Sequence, residues 1–260
     1  MALKDFSVRL ISGCYFGDIP PTPLSHETPV RMPDAYAELL NVSLAYGYTI
    51  GYTQEQNGKL IHHLFPIKST ESEQISTSSK VDLALHTETA FHPYKPDYVV
   101  LACLRGDKNA ATTYADVKTL VKSLSADSIT ELLKPQYTTR VDASFRTNGE
   151  QDQQVELSIL KETSNGYQIT HDQALVQGTS KKAQTALDEL NKVIASNTEE
   201  VTLRAGDVLI INNSRAIHGR KPFSPRYNGT DRWLLRCLVR EELPPESERR
   251  GSVITTERFQ

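Results

Sequence analysis

The sequence is poor in several features that would define its class at once. It has only three cysteines, Cys14, Cys103 and Cys237, widely spaced and without a Cys-x-x-Cys pair. That excludes a disulfide framework and a thiolate zinc site. No apolar run reaches the roughly 18 residues that a membrane helix needs, so no membrane span is expected. The opening stretch MALKDFSVRLISGCYFGDIPP places Lys4 and Asp5 where a secretory signal would be apolar. No signal peptide is expected, and the predicted compartment is the cytoplasm. There is no excess of basic residues either: the net charge is -3, which argues against a nucleic-acid partner. Internal repeats and low-complexity tracts are absent as well. What is there is an ordinary globular composition, 38% hydrophobic and 23% charged over 260 residues. That is enough for one large domain, 1–260.

The pattern of elements is strand-rich. Residues 19–33 are proline-rich and read as an extended arm, and 34–46 predict a helix stopped by Gly47. Segments 48–52 and 60–67 flank Asn57-Gly58, a strong hairpin signal. A long polar loop follows at 68–80, then a half-buried strand at 81–86 and a buried one at 97–105. Ser128 with Glu131 three residues on predicts a capping box for a short helix over 128–133, ended by Pro135. Ala183, Leu187, Leu190, Val193 and Ile194 recur at helical spacing after Ser180. Residues 201–213 read as two strands around an Ala-Gly-Asp turn, and 232–240 as a last strand. The expected class is mainly β, with two or three helices covering one face.

Chemistry is concentrated in two stretches. LHTETAFHP, residues 85–93, places His86 and Glu88 two apart at a strand end, where positions i and i+2 share a face. The pair supplies two donors to a divalent metal, but alone it is a weak signal. The second stretch, INNSRAIHGRKPFSPRYNGTDRWLLR at 211–236, contains His218 just before Gly219; glycine there permits a sharp turn beside a bound group. His86, Glu88 and His218 together make a 2-His-1-carboxylate set, which holds one face of iron(II) and leaves positions open. Arg232 follows at the start of a strand and is suited to grip a carboxylate through two parallel hydrogen bonds. Metal and arginine together suit a 2-oxo acid.

With HTETAFH and HGRKPFSPRYNGTDRW in place, the chain resembles the clavaminate synthase-like group. This is a branch of the iron(II)/2-oxoglutarate-dependent oxygenases in the taurine dioxygenase superfamily, and it includes asparagine and arginine hydroxylases. The resemblance covers about half the chain. It implies a double-stranded β-helix, the jelly roll of cupin-like proteins, with helices on one sheet. It also implies iron(II), 2-oxoglutarate and O2, with oxidative decarboxylation to succinate coupled to hydroxylation of an unactivated C–H. Halogenation is disfavoured, because the halogenases of this superfamily lack the carboxylate ligand and Glu88 is present.

The resemblance also assigns roles. His86, Glu88 and His218 match the iron ligands, and Arg232 matches the clamp for 2-oxoglutarate. Thr112 matches a threonine on the same carboxylate, with Thr113 the alternative. Arg236 matches the arginine that holds a substrate carboxylate, and Asp172 an acidic substrate contact. Gln56 is a candidate for the substrate amino group or a plain turn residue. The arginine-specific relatives have a second acid two residues before Asp172, where this chain has Thr170; that disfavours a guanidinium substrate and leaves room for a smaller or neutral side chain. His92 reads as structural, His62 and His63 as facing opposite ways, and His171 as lining the mouth or lying on the surface. Residues 145–167 read as a lid or a surface hairpin. The expected reaction is β- or γ-hydroxylation of a free L-amino acid or small derivative in specialised metabolism. Alternatives are a taurine dioxygenase-like enzyme on another small acid, a desaturase or cyclase, and a non-catalytic 2-oxoglutarate sensor. The oligomeric state is open.

Overall fold

The computed structural model describes residues 5–142, 145, 153–257 and 259. Two sheets face each other and enclose the core, the jelly-roll arrangement. The major sheet runs β1 (Val8–Ile11), β13 (Val208–Asn212), β5 (Tyr98–Arg105), β15 (Trp233–Arg240), β2 (Tyr48–Tyr52), β17 (Val253–Ile254) and β16 (Arg249–Arg250), with β3 (Ile61–Leu64) also paired to β15. The minor sheet runs β12 (Glu199–Val201), β6 (Thr112–Asp116), β14 (Ala216–Arg220) and β4 (Leu83–His86). A small sheet joins β11 (Gln177–Gly178), β7 (Tyr137–Arg140) and β8 (Gln154–Leu157), and β9 (Leu160–Thr163) pairs with β10 (Gly166–Ile169).

Period-two alternation decides what each strand presents to which layer. On β5, Val99, Leu101 and Cys103 point between the sheets, while Tyr98, Val100, Ala102 and Leu104 meet helix α1 (Pro33–Leu44). On β15, Leu234 and Leu238 point inward; Trp233, Leu235, Cys237 and Val239 point to the α1 side. Arg232 and Arg236 share the inward parity, so the strand carries two arginines into the interior. The other three helices, α2 (Val117–Ser123), α3 (Ala126–Leu132) and α4 (Lys181–Asn197), cover the minor sheet through Leu120, Leu132, Leu187, Leu190 and Ile194. Helices therefore cover both sheets, not one.

Several local expectations are corrected. Asn57 and Gly58 do form a left-handed turn, with φ of 56° and 76°. Yet β2 and β3 do not pair with each other: both pair with β15. The strands at 199–201 and 208–212 likewise belong to different sheets. Helix α3 is capped by Ser125, whose hydroxyl accepts from the Ser128 amide, and Glu131 instead pairs with Lys134 and Gln136. Of the expected lid, residues 146–152 lie outside the described residues. From Gln154 onward the segment is strand and hairpin, anchored by buried Val155, Ile159, Leu160 and Ile169.

Candidate active site

His86 ends β4 and His218 lies within β14, directly opposite in the register. Their rings stand 4.6 Å apart. Glu88 comes from the loop after β4. That loop is fixed by Asn213 at the end of β13, whose side-chain oxygen accepts from the Glu88 amide at 2.8 Å and whose NH2 donates to the carbonyls of Glu88 and Pro96. On its other side the Thr87 amide donates to the His171 carbonyl. Gly219 makes the register possible. A Cβ there would lie 2.3 Å from the Leu83 carbonyl oxygen, so glycine is required by the close approach of β4 and not by a turn.

The donor set fits a metal. Glu88 Oε2 is 3.6 Å from His218 Nε2 and 4.0 Å from His86 Nε2. Two donors each about 2.1 Å from one ion lie no more than about 4.2 Å apart, and both distances comply. The three ligand atoms all fall within 4.8 Å of one another. The His86 Nδ1–H donates to the Ala84 carbonyl at 2.8 Å. This fixes the tautomer and leaves the Nε2 lone pair facing the glutamate. Burial alone would raise the Glu88 carboxyl, but the Arg236 guanidinium and both imidazoles outweigh it, and the group titrates well below the usual range. His218 is held below its ordinary value by burial. Glu88 is thus an anion and His218 a neutral donor, as ligation requires.

The cavity beside these donors has a volume of about 50 Å3 and is lined by Thr112, Arg220, Arg232 and Arg236 with Leu64, Leu101 and Leu234. Arg232 is 7% exposed, and among the described residues its guanidinium makes no ion pair and no hydrogen bond. Burial pushes it down to about 10. Thr112 Oγ1 is buried without a partner. Thr113 pairs with Gly219 and lies where a Gly219 Cβ would point, on the other face of the sheet from His218.

Arg236 is equally buried but already paired at both terminal nitrogens. It donates to Glu88 Oε1 at 2.7 Å, to His62 Nδ1 at 2.7 Å and to Glu55. An arginine only donates, so His62 Nδ1 accepts, and its Nε2–H donates to the Lys59 carbonyl at 2.9 Å. Burial lowers Arg236, yet Glu88 and then Glu55 raise it further, and it ends above its ordinary value. Two buried atoms here lack partners, Arg236 Nε and Glu55 Oε2.

Two expected contacts are moved. Gln56 does not line the metal cavity: it lines a second cavity on the α1 side with His63, Tyr36 and Phe65. Its neighbour Glu55 is the residue that reaches the site. Asp172 bridges to His86 through the backbone, but its carboxylate accepts from the amides of Ala174 and Leu175 and so caps a turn. A second acid had no motif to mark it. Asp142, just past β7, is pushed up to about 6 by burial and then by Asp172, Glu88 and Glu55. His92 lies in an aromatic cluster with Tyr52, Phe91, Phe145 and Phe259. His171 is fully buried with Nε2 3.3 Å from Asn191 on α4; it lies neither in the mouth nor on the surface.

A jelly roll with a 2-His-1-carboxylate set at its strand ends is the architecture of iron-dependent oxygenases. The profile of the family described as taurine catabolism dioxygenase TauD, TfdA family matches residues 31–238, and the chain belongs to that family. It is 36% identical to L-lysine 3-hydroxylase of Catenulispora acidiphila over 85% of this chain and 63% of that protein. It is 30% identical to clavaminate synthase 2 of Streptomyces clavuligerus, covering 92% of this chain and 75% of that one, so the expected group is the right one. The crystal structure of the non-heme iron oxygenase OrfP with Fe, succinate and (3S)-hydroxy-L-Arg superposes with a TM-score of 0.86 at 33% identity, over 96% of this chain and 82% of that chain. The chain spans less than two thirds of the lysine hydroxylase. No helix among the described residues is long and apolar enough to cross a membrane.

Proposed function

We propose that the chain is an iron(II)- and 2-oxoglutarate-dependent hydroxylase of a free L-amino acid with a basic side chain. The observation that carries this reading is the pairing, in one cavity, of a metal donor set with the unpaired Arg232 and the unsatisfied Thr112 hydroxyl. His86, Glu88 and His218 would hold the metal, and Arg232 with Thr112 would take the distal carboxylate of 2-oxoglutarate. When bound, iron, 2-oxoglutarate and O2 supply the chemistry that replaces a hydrogen of an unactivated C–H with hydroxyl.

The remaining residues support a reading of the second substrate. Arg236 Nε is a buried donor with no acceptor, and Glu55 Oε2 a buried acceptor with no donor. A zwitterion supplies both missing partners, its carboxylate to the arginine and its ammonium to the glutamate. Asp142 and Asp172 lie beyond, and their mutual repulsion is relieved by a cationic side chain. Asp142 thereby takes the place of the acid missing at Thr170, which removes the reason to expect a neutral side chain. The relatives fit: one is named for lysine, and another was crystallised with a hydroxyarginine.

The test is incubation with iron(II), 2-oxoglutarate and a panel of lysine, ornithine, arginine, asparagine and taurine in air. A gain of one oxygen on a basic amino acid, matched by succinate, supports the reading. Loss of two hydrogens would make the enzyme a desaturase or cyclase. Oxidation of taurine alone would move it to the sulfonate branch, and no succinate with any compound would leave a 2-oxoglutarate sensor.

A further inference from the structure

Among the described residues that line the cavity, Arg220 is the cation that the proposed reading leaves unused. It lies two residues past His218 on β14 and directly opposite Thr112 on β6, so all three side chains share the inward face. It is 3% exposed and lines the same cavity as Arg232. Its partners are all neutral: it donates to Ser78 Oγ at 2.8 Å and to the Lys221 carbonyl at 3.0 Å, and it lies over the Phe223 ring at 5.0 Å. Those two bonds occupy two of the five N–H donors of a guanidinium. Among the described residues it forms no ion pair. The two buried guanidinium groups repel each other, and among the described residues neither forms an ion pair, with the fields of Asp82 and Asp107 to favour their charges; an anion between them would offset that cost. Arg232 can grip one carboxylate through two parallel hydrogen bonds, and the carboxylate's remaining lone pairs can accept further donors. A second fixed charge beside Thr112 gives the carboxylate a counter-charge on the minor-sheet side as well.

We propose that Arg220 is a second binding residue for the distal carboxylate of 2-oxoglutarate, acting from β14 opposite Arg232 and held in place by the buried Ser78 hydroxyl. This rests on the cavity being the 2-oxoglutarate site. A purely structural Arg220, tying the 76–79 loop to the sheet, would be indifferent to what the oxo acid carries at its far end. The two roles therefore separate with a pair of ligands, 2-oxoglutarate and 2-oxobutyrate, the second of which lacks the distal carboxylate.

The experiment is calorimetric titration of the Mn(II)-loaded protein, without O2, with each oxo acid, for wild type, Arg220→Met, Arg220→Lys and Arg232→Met. Loss of a charge-assisted bond should weaken 2-oxoglutarate in Arg220→Met roughly 10- to 100-fold, with 2-oxobutyrate unchanged and Arg220→Lys in between. Unchanged 2-oxoglutarate binding in Arg220→Met, or equal loss of both oxo acids, overturns the proposal while Arg232→Met still loses 2-oxoglutarate selectively. If Arg232→Met is also indifferent, the reading of the whole cavity fails, which is a separate result. Should Arg220→Met not fold, Arg220→Lys carries the same comparison.

Discussion

Arg232, just before the chain's last long strand, and Arg236 within it lie four residues apart and line the same cavity, and both are at least nine-tenths buried. Their surroundings are opposite. Arg236 is held by two carboxylates and an imidazole, and Arg232 by nothing among the described residues. The difference shows in their acidities: burial brings Arg232 down to about 10, while Glu88 and Glu55 lift Arg236 above its ordinary value. A buried cation without a counter-charge is a place where a ligand completes the structure. A buried cation already in a network is a place where a ligand must exchange partners. The first end of the cavity is suited to an obligatory co-substrate, and the second to a substrate that is discriminated.

The largest effect is expected between the two arginines, at the metal ligands. His218→Ala and Glu88→Ala should reduce turnover to background and abolish tight iron(II) binding in an anaerobic titration. His92→Ala should keep metal binding, because its ring lies among aromatics away from the donors. Wild-type-like turnover in His218→Ala would sink the assignment.

The sharper test of the comparison is to remove each arginine in turn. In the metal-free protein, Arg236→Met leaves Glu88 and Glu55 facing each other in the interior. Breaking a buried pair in this way costs about 3–5 kcal/mol, read from urea denaturation. Arg232→Met removes an uncompensated charge instead, so the metal-free protein should be as stable as wild type or more so. The order inverts for 2-oxoglutarate: Arg232→Met should lose about 2–5 kcal/mol of its binding. If both substitutions destabilise the metal-free protein equally, the two ends do not differ as described.

This contrast also marks what was legible in the sequence. The metal donors and Arg232 sit in local motifs, His-x-Glu and the stretch from His218 to Trp233, so chemistry and spacing point to them together, and the fold brings all four to one cavity. That Arg236 points inward follows from strand parity. That it is already paired does not, because Glu55 and His62 come from a loop and a strand 181 and 174 residues earlier that are brought to Arg236 by the pairing of β3 with β15. Gln56 lines the cavity on the α1 side, while its neighbour Glu55 reaches Arg236; which of two adjacent turn residues faces the site is not readable from spacing. Asp142 has no motif at all. Its proximity to Asp172, Glu88 and Glu55 is a long-range outcome of the fold, which periodicity over a four-residue strand cannot show. The cap of α3 falls at Ser125 although only Ser128 has the glutamate three residues on, because serine is a good N-cap at either position and packing of the helix decides between them.

A smaller effect is expected at the rim of the exchanging end. If Asp142 reads a cationic side chain, Asp142→Asn should lower kcat/KM for the preferred basic amino acid by about 1–3 kcal/mol, with little change for a neutral one of similar length. Kinetics with matched pairs, such as lysine and norleucine, measure this. Arg236→Ala should by contrast lose the preference for the free acid over its methyl ester. Equal wild-type rates on acid and ester would show that Arg236 does not read a carboxylate.

The smallest effect concerns histidines for which partnering again decides behaviour. His92 is 2% exposed; its Nδ1 accepts from the Tyr94 amide at 2.9 Å, and its Nε2 has no partner. Burial lowers it to about 3, and His171 to about 4. For a base whose folded value lies below its unfolded value near 6.5, the unfolded chain binds the proton first as pH falls. Stability is therefore fully present above pH 6.5 and is lost on acidification from about 6.5 down to the folded values, at about 1.4 kcal/mol per pH unit for each such group. Carboxylates add their own acid dependence, so the difference between variants is the informative quantity. His92→Phe keeps an aromatic ring in the cluster and removes the titration. Its loss of the Tyr94 hydrogen bond is an offset independent of pH. Urea denaturation of the metal-free protein at pH 7, 6 and 5 should then show a shallower fall for the variant, by about 1.4 kcal/mol per unit. Parallel curves would mean that the His92 ring takes up its proton inside the fold, and that the aromatic cluster around it admits a charge as the Arg232 end of the cavity does.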